Sequence, residues 1–124
     1  MDSSVMKNKL QEYVDVFNAG DLKRLIALFA DDAKVEDPVG QPPKIGRQEI
    51  EKFYRESMLG GAQLELLTSP RGSFGNAASI TFAVHSKTEG RSIRIDVTDV
   101  MTFDENGKIV TMQAFWGPDD VQQL

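Results

Sequence analysis

Ile93-Arg94-Ile95-Asp96-Val97-Thr98-Asp99-Val100-Met101-Thr102-Phe103 is the stretch on which the architecture turns. Its side chains alternate with a period of two, the mark of a strand with one face buried. Ile93, Ile95, Val97, Asp99, Met101 and Phe103 share one face, and Arg94, Asp96, Thr98 and Thr102 share the other. Upstream, Thr88-Glu89-Gly90 reads as a turn, preceded by a strand with Ala78, Ile80, Phe82 and Val84 on one face and Ser79, Thr81 and His85 on the other. Downstream, Asp104-Glu105-Asn106-Gly107 is a hairpin signal. A last strand is expected over Ile109 to Trp116, with Val110, Met112, Ala114 and Trp116 on one side, followed by a polar, loose tail from Gly117 to Leu124. Leu64 and Leu66 alternate with Gln63 and Glu65 in a shorter strand that ends before Ser69-Pro70.

The first half of the chain has a helical period instead. Met6, Leu10, Tyr13, Val14 and Phe17 recur at the spacing of one helix face, with Ser3 or Ser4 as the expected cap. Asn18-Ala19-Gly20-Asp21 reads as a stop and restart. A second helix follows with Leu22, Leu25, Ile26 and Phe29 on its apolar face. Next comes Ala30-Asp31-Asp32-Ala33-Lys34-Val35-Glu36-Asp37-Pro38, whose strand-like piece, Lys34 to Asp37, puts Asp37 on the same side as Val35 and so inward. Pro38 holds the residue before it in extended geometry. Pro38 to Gly46, with three prolines and two glycines, reads as a loop, and a third helix carries Ile50, Phe53, Tyr54 and Met58 up to Gly60-Gly61. Helices first and antiparallel strands afterwards indicate an α+β fold, a single domain over residues 1–124. Such a curved sheet can close into a cone, whose apolar interior suits a small-molecule pocket.

Composition removes several function classes. A net charge of −5 and the lack of a basic cluster argue against nucleic acid as a partner. With no cysteine there is no disulfide, thiolate nucleophile or zinc–thiolate site. No signal-peptide pattern and no membrane-length apolar run is present, so a soluble, cytoplasmic protein is expected.

Three residues could carry chemistry together. Parity puts the Asp99 carboxyl among Ile95, Val97, Met101 and Phe103, where burial disfavours charge and turns the acid into a hydrogen-bond donor. The competing reading is a carboxylate near a sheet edge, or one paired with an arginine from elsewhere. Tyr13 is by default a core tyrosine, as is Tyr54, and Asp37 by itself could cap the turn that follows it. Combined, an ionised acid, a phenol and a neutral acid form the set needed to abstract a proton beside a carbonyl. His85 reads as an exposed strand residue. The acids Asp31, Asp32, Glu36 and Asp37 lack the loop pattern of a calcium site, and no metal ligand set is assigned. Trp116 is either a core residue or an indole donor to a nearby carboxylate.

The stretches Gln11-Glu12-Tyr13-Val14, Asn18-Ala19-Gly20-Asp21-Leu22, Ala30 through Gly40, Glu51-Lys52-Phe53-Tyr54, Thr98 through Asp104 and Met112-Gln113-Ala114-Phe115-Trp116 resemble bacterial Δ5-3-ketosteroid isomerases. The resemblance implies a conical fold of the nuclear-transport-factor-2-like (NTF2-like) type, with three N-terminal helices on a strongly curved, mostly antiparallel sheet. It also implies a homodimer that isomerises a steroid without a cofactor. Asp37 matches the family's general base, Tyr13 and Asp99 its oxyanion hole, Tyr54 a supporting tyrosine and Trp116 an aromatic position near the base. Phe53, Met112, Val97 and Met101 are expected around the pocket. This family is itself the standard worked case of a carboxylic acid kept neutral at pH 7, so the role of Asp99 comes with the resemblance, whereas its parity comes from the residues. Some members have a third tyrosine where this chain has Phe29, so the tyrosine network should stop at Tyr54. Other reactions on this scaffold (dehydratase, epoxide hydrolase, polyketide cyclase) and a non-catalytic binding module are the alternatives.

Overall fold

The computed structural model describes all of residues 1–124. Helix α1 spans Ser3–Asn18 and buries Met6, Leu10, Tyr13, Val14, Val16 and Phe17. Its cap is Asp2, whose side chain accepts from the Ser4 N–H at 3.1 Å, and not Ser3 or Ser4. The aspartate offers a charged acceptor one position earlier, which also suits the positive end of the helix. Gly20 takes φ 70°, the left-handed conformation needed to leave α1, and Asp21 caps the short helix α2, Leu22–Ile26.

Phe29 is not on that helix. It opens strand β1, Phe29–Glu36, and is fully buried. The helix stops at five residues because the chain turns into the sheet, and a buried aromatic serves a strand as well as a helix. Within the expected loop a two-residue strand, β2 (Lys44–Ile45), folds back on β1. Helix α3, Arg47–Leu59, buries Ile50 and Tyr54.

Strands β3 (Gln63–Leu66), β4 (Ala77–Thr88), β5 (Arg91–Phe103) and β6 (Ile109–Phe115) complete the main sheet, in the order β2-β1-β6-β5-β4-β3. All pairs are antiparallel except β1 with β6, which is parallel. The helices cover one face, as expected, but the sheet stays open: β2 and β3 are its ends and do not meet. The tail is ordered, contrary to expectation. A 3-10 turn at Pro118–Asp120 leads into β7, Val121–Gln123, which pairs with β5 at Ile93 to Ile95. Backbone pairing on a free edge needs no apolar side chains, which is why a polar tail can be a strand.

The last main strand is likewise not a simple alternation. Ile109, Met112 and Ala114 are buried, while Val110 is only half-buried, because the β5–β6 register shifts between Thr102 and Phe103. A bulge moves the following side chains to the other face. Trp116 lies just past the strand end.

Candidate active site

An apolar cavity of about 240 Å³ opens between the helices and the curved sheet. Tyr13 reaches it from α1, Phe53 and Tyr54 from α3, Val97 and Asp99 from β5, and Asp37 and Trp116 from the ends of β1 and β6. All seven were expected there. Met101 and Met112 were expected too but do not line it. They pair with each other across β5 and β6, two residues along β5 from Asp99, and are fully buried in the core. Phe17, Ser57, Ala62, Leu64, Phe82, Val84 and Ile95 complete the lining. Phe17 and Phe82 were legible as inward-facing residues, whereas Ser57 carried no sequence signal.

Asp99 sits on the middle of the sheet, paired with Ile80 on one side and Ala114 on the other, both buried. This excludes an edge carboxylate. Only 1% of it is exposed, and neither carboxyl oxygen has a hydrogen-bond partner in the protein. Burial, and then the nearby Asp37 charge, push its carboxyl well above the usual carboxylate range. The protonated acid, a donor facing the cavity, is therefore the favoured form.

This has a measurable consequence for stability. A carboxyl with a raised native pKa keeps its proton where the unfolded chain has lost it, so the native state binds more protons and stability falls as pH rises above the unfolded pKa of about 3.9. Asp99→Asn removes that titration. Its melting temperature relative to wild type is expected to climb steadily as pH is raised from 4 toward neutrality; thermal melts giving a pH-independent difference would contradict the raised native pKa.

Tyr13 and Tyr54 share a hydrogen bond of 2.8 Å between their hydroxyls. Burial raises both phenols well above their ordinary range, so both keep their protons. If Tyr54 donates to Tyr13, the Tyr13 proton is free to point at a ligand. Tyr54 packs against the Phe29 ring, with centroids 5.8 Å apart, and the network ends there, as expected from the missing third hydroxyl.

Asp37 is half-buried and accepts a hydrogen bond from the Trp116 indole N–H at 2.9 Å. Its backbone lies just past the end of β1, and the next turn of chain stays tied to β6 through the Val39 N–H and the Ala114 carbonyl at 2.9 Å. Burial raises its pKa, while the Trp116 N–H and the charge of Lys44 oppose the shift and favour the carboxylate. Lys44 lies over the Phe53 ring, 4.7 Å from its centroid, at the same end of the cavity. Trp116→Phe keeps the aromatic bulk but removes the donor. It should move the acidic limb of the kcat pH profile to higher pH; a limb that stays in place would show that the indole does not support the carboxylate.

The other acids of the stretch are dispersed. Asp31 pairs with Arg47 at 3.1 Å, and Glu36 accepts from the Gly40 N–H at 3.2 Å. His85 is on the opposite face of β4 from the cavity, bonded to Glu65 at 2.8 Å.

The profile of the SnoaL-like domain matches residues 10–112. The chain belongs to the SnoaL-like family. It is 38% identical over 120 residues to a steroid Delta-isomerase from Nocardioides simplex, covering 96% of this chain and 95% of the relative. This bears out the expected kinship with ketosteroid isomerases and with a family of enzymes. A second relative, the epoxide hydrolase LasB of Streptomyces lasalocidi, is 29% identical over 121 residues; these are 94% of this chain but 43% of LasB. Among solved structures, the epoxide hydrolase/cyclase-like enzyme SalBIII, studied for pyran ring formation in the polyether salinomycin, superposes with a TM-score of 0.92 at 25% identity, over 99% of this chain and 98% of its own. The SnoaL-like family thus accounts for the α+β, NTF2-like architecture.

Proposed function

We propose that this protein is a cofactor-free steroid Δ-isomerase that converts Δ5-3-ketosteroids to Δ4-3-ketosteroids. The observation that carries the reading is the convergence of Asp37, Tyr13 and Asp99 on one apolar cavity. The 38% identity to a steroid Delta-isomerase supports it. The Asp37 carboxylate removes a proton from C4, and the electrons move onto the C3 oxygen to give a dienolate. Tyr13 and protonated Asp99 donate hydrogen bonds to that oxygen. The same proton, now on Asp37, returns at C6 as the C3 carbonyl re-forms, so the enzyme ends as it began. The double bond has moved into conjugation and no redox partner is consumed.

The division of labour follows from the environments. A carbon acid beside a ketone is slow to ionise because the dienolate is unstable, and each 1.36 kcal/mol removed from that barrier gives about tenfold in rate. Two fixed donors in an apolar cavity act on the charge as it develops, with little reorganisation. Burial makes Asp37 a stronger base than a solvated carboxylate, and its Trp116 partner keeps the oxygen aimed.

The test is direct. Mixing the protein with 5-androstene-3,17-dione should raise the ultraviolet absorbance of the conjugated enone; no rise above background from folded protein would sink the proposal. A second reading has support from LasB and SalBIII: the same donors could activate an epoxide while Asp37 deprotonates the attacking hydroxyl or water. Ring opening of an epoxide in place of enone formation would favour it. The proposal includes a homodimer, to be read by sedimentation, and a cytoplasmic setting; no helix is long and apolar enough to cross a membrane.

A further inference from the structure

The cavity has two ends of different character. Along the paired strands β4 and β5 its lining runs from Asp99, through Val97 and Phe82, to Ile95 and Val84. Ile95 lies four steps along the strand from Asp99, about 13 Å. On the helical side, Tyr54 faces the reacting end and Ser57 lies one turn further along α3, a rise of roughly 4.5 Å. The far end is thus bounded by Ser57, Ala62, Leu64, Val84 and Ile95, and all but Ser57 are apolar.

Polar groups near that end are otherwise committed. Asn18 is bonded twice to the backbone of Leu64, its amide donating to the carbonyl and its oxygen accepting from the N–H, each at 2.8 Å. His85 and Glu65 each directly follow a lining residue, Val84 and Leu64, so they point to the opposite face of the sheet, where they bond to each other. The Ser57 hydroxyl donates to the Phe53 carbonyl at 3.1 Å. Its proton is used and its lone pairs are not, so toward the cavity it is an acceptor.

We propose that Ser57 determines specificity at the end of the ligand remote from the reacting ketone, accepting a hydrogen bond from a hydroxyl there and so favouring a 17β-hydroxysteroid over its 17-ketone. This rests on the isomerase reading for the orientation of the steroid, with its C3 oxygen at Tyr13 and Asp99. A ketone offers no proton to Ser57, so it gains nothing unless the serine gives up its helix bond. Because the contact is far from C4 and C6, it is made equally in ground and transition states, and its loss should appear in KM with kcat unchanged.

The experiment compares wild type, Ser57→Ala and Ser57→Thr on two Δ5-3-ketosteroids that differ only in a 17β-hydroxyl or a 17-ketone. Ser57→Ala should raise KM for the hydroxysteroid by about threefold to tenfold, the usual effect of one neutral hydrogen bond, and change KM for the diketone by less than about twofold. Ser57→Thr, which keeps the hydroxyl, should restore the difference. A second arm titrates the two conjugated products against the fluorescence of Trp116, the chain's single tryptophan, which lines the cavity. The same selectivity in binding without any enone formation would overturn the isomerase reading and leave Ser57 as a recognition residue. Equal changes for both steroids, or none, would overturn the proposal for Ser57, and so would failure of both steroids to bind.

Discussion

Asp37→Asn should lower kcat for the enone-forming reaction by about ten-thousandfold, the upper end of what one general acid–base group contributes, while the protein stays folded and still binds steroid. The amide has nearly the shape of the acid and can still meet the Trp116 N–H through its oxygen, 2.9 Å away in the native protein. It cannot take up the C4 proton. The other acid in the cavity, Asp99, is held in its protonated form by burial and is therefore no substitute base. Stopped-flow measurement of enone formation, with circular dichroism as the folding control, gives the answer, and near-normal turnover by the folded variant would refute the assignment.

The second large effect is expected at Tyr13. Tyr13→Phe leaves the ring in the core and removes only the hydroxyl, so kcat should fall on the order of a hundred- to a thousandfold, as for other single oxyanion donors. KM should change little, because the contact strengthens as charge develops on the C3 oxygen. The loss ought to exceed that for Asp99→Asn, whose amide can still donate. Steady-state kinetics of the two variants side by side would decide: a larger loss at Asp99 would reverse the ranking of the donors. Tyr13→Phe also strips Tyr54 of its hydrogen-bond partner within a buried site, so a small drop in melting temperature is expected to accompany the kinetic effect.

Much of this was legible in the chain because two periodicities do most of the placing. The stripe through Met6, Leu10, Tyr13 and Phe17 is the buried face of α1, and strand parity alone put Asp99 on the inner face of β5. Parity gives a face but no depth. It therefore also pointed to Met101 and Met112, which are buried but do not line the cavity. Elements fixed by tertiary contact were harder to see. Phe29 looked helical because a five-residue helix has too few turns to establish a period, and β7 was missed because an edge strand depends on backbone pairing. Ser57 was invisible for a related reason: a serine on an amphipathic helix is ordinary until the space in front of it is known. Asp37 was legible as an inward acid at a strand end, and read as a base in company with Tyr13 and Asp99 before likeness to a family added to it, while its partner Trp116 was left with two possible fates that only the meeting of strand ends could separate.

The single parallel pairing in the sheet, β1 beside β6, has a bearing on how the molecule comes to life. Because the two strands run the same way, they deliver Asp37 and its indole partner to one rim, though the two residues are 79 positions apart in the chain. The phenol pair joins residues 41 apart. A nascent chain emerging from the ribosome would therefore hold an acid with nothing to steady it until the closing segment docks. Catalytic competence is in that sense a late, all-or-nothing property of the completed molecule, gained when this long-range contact forms and lost with it.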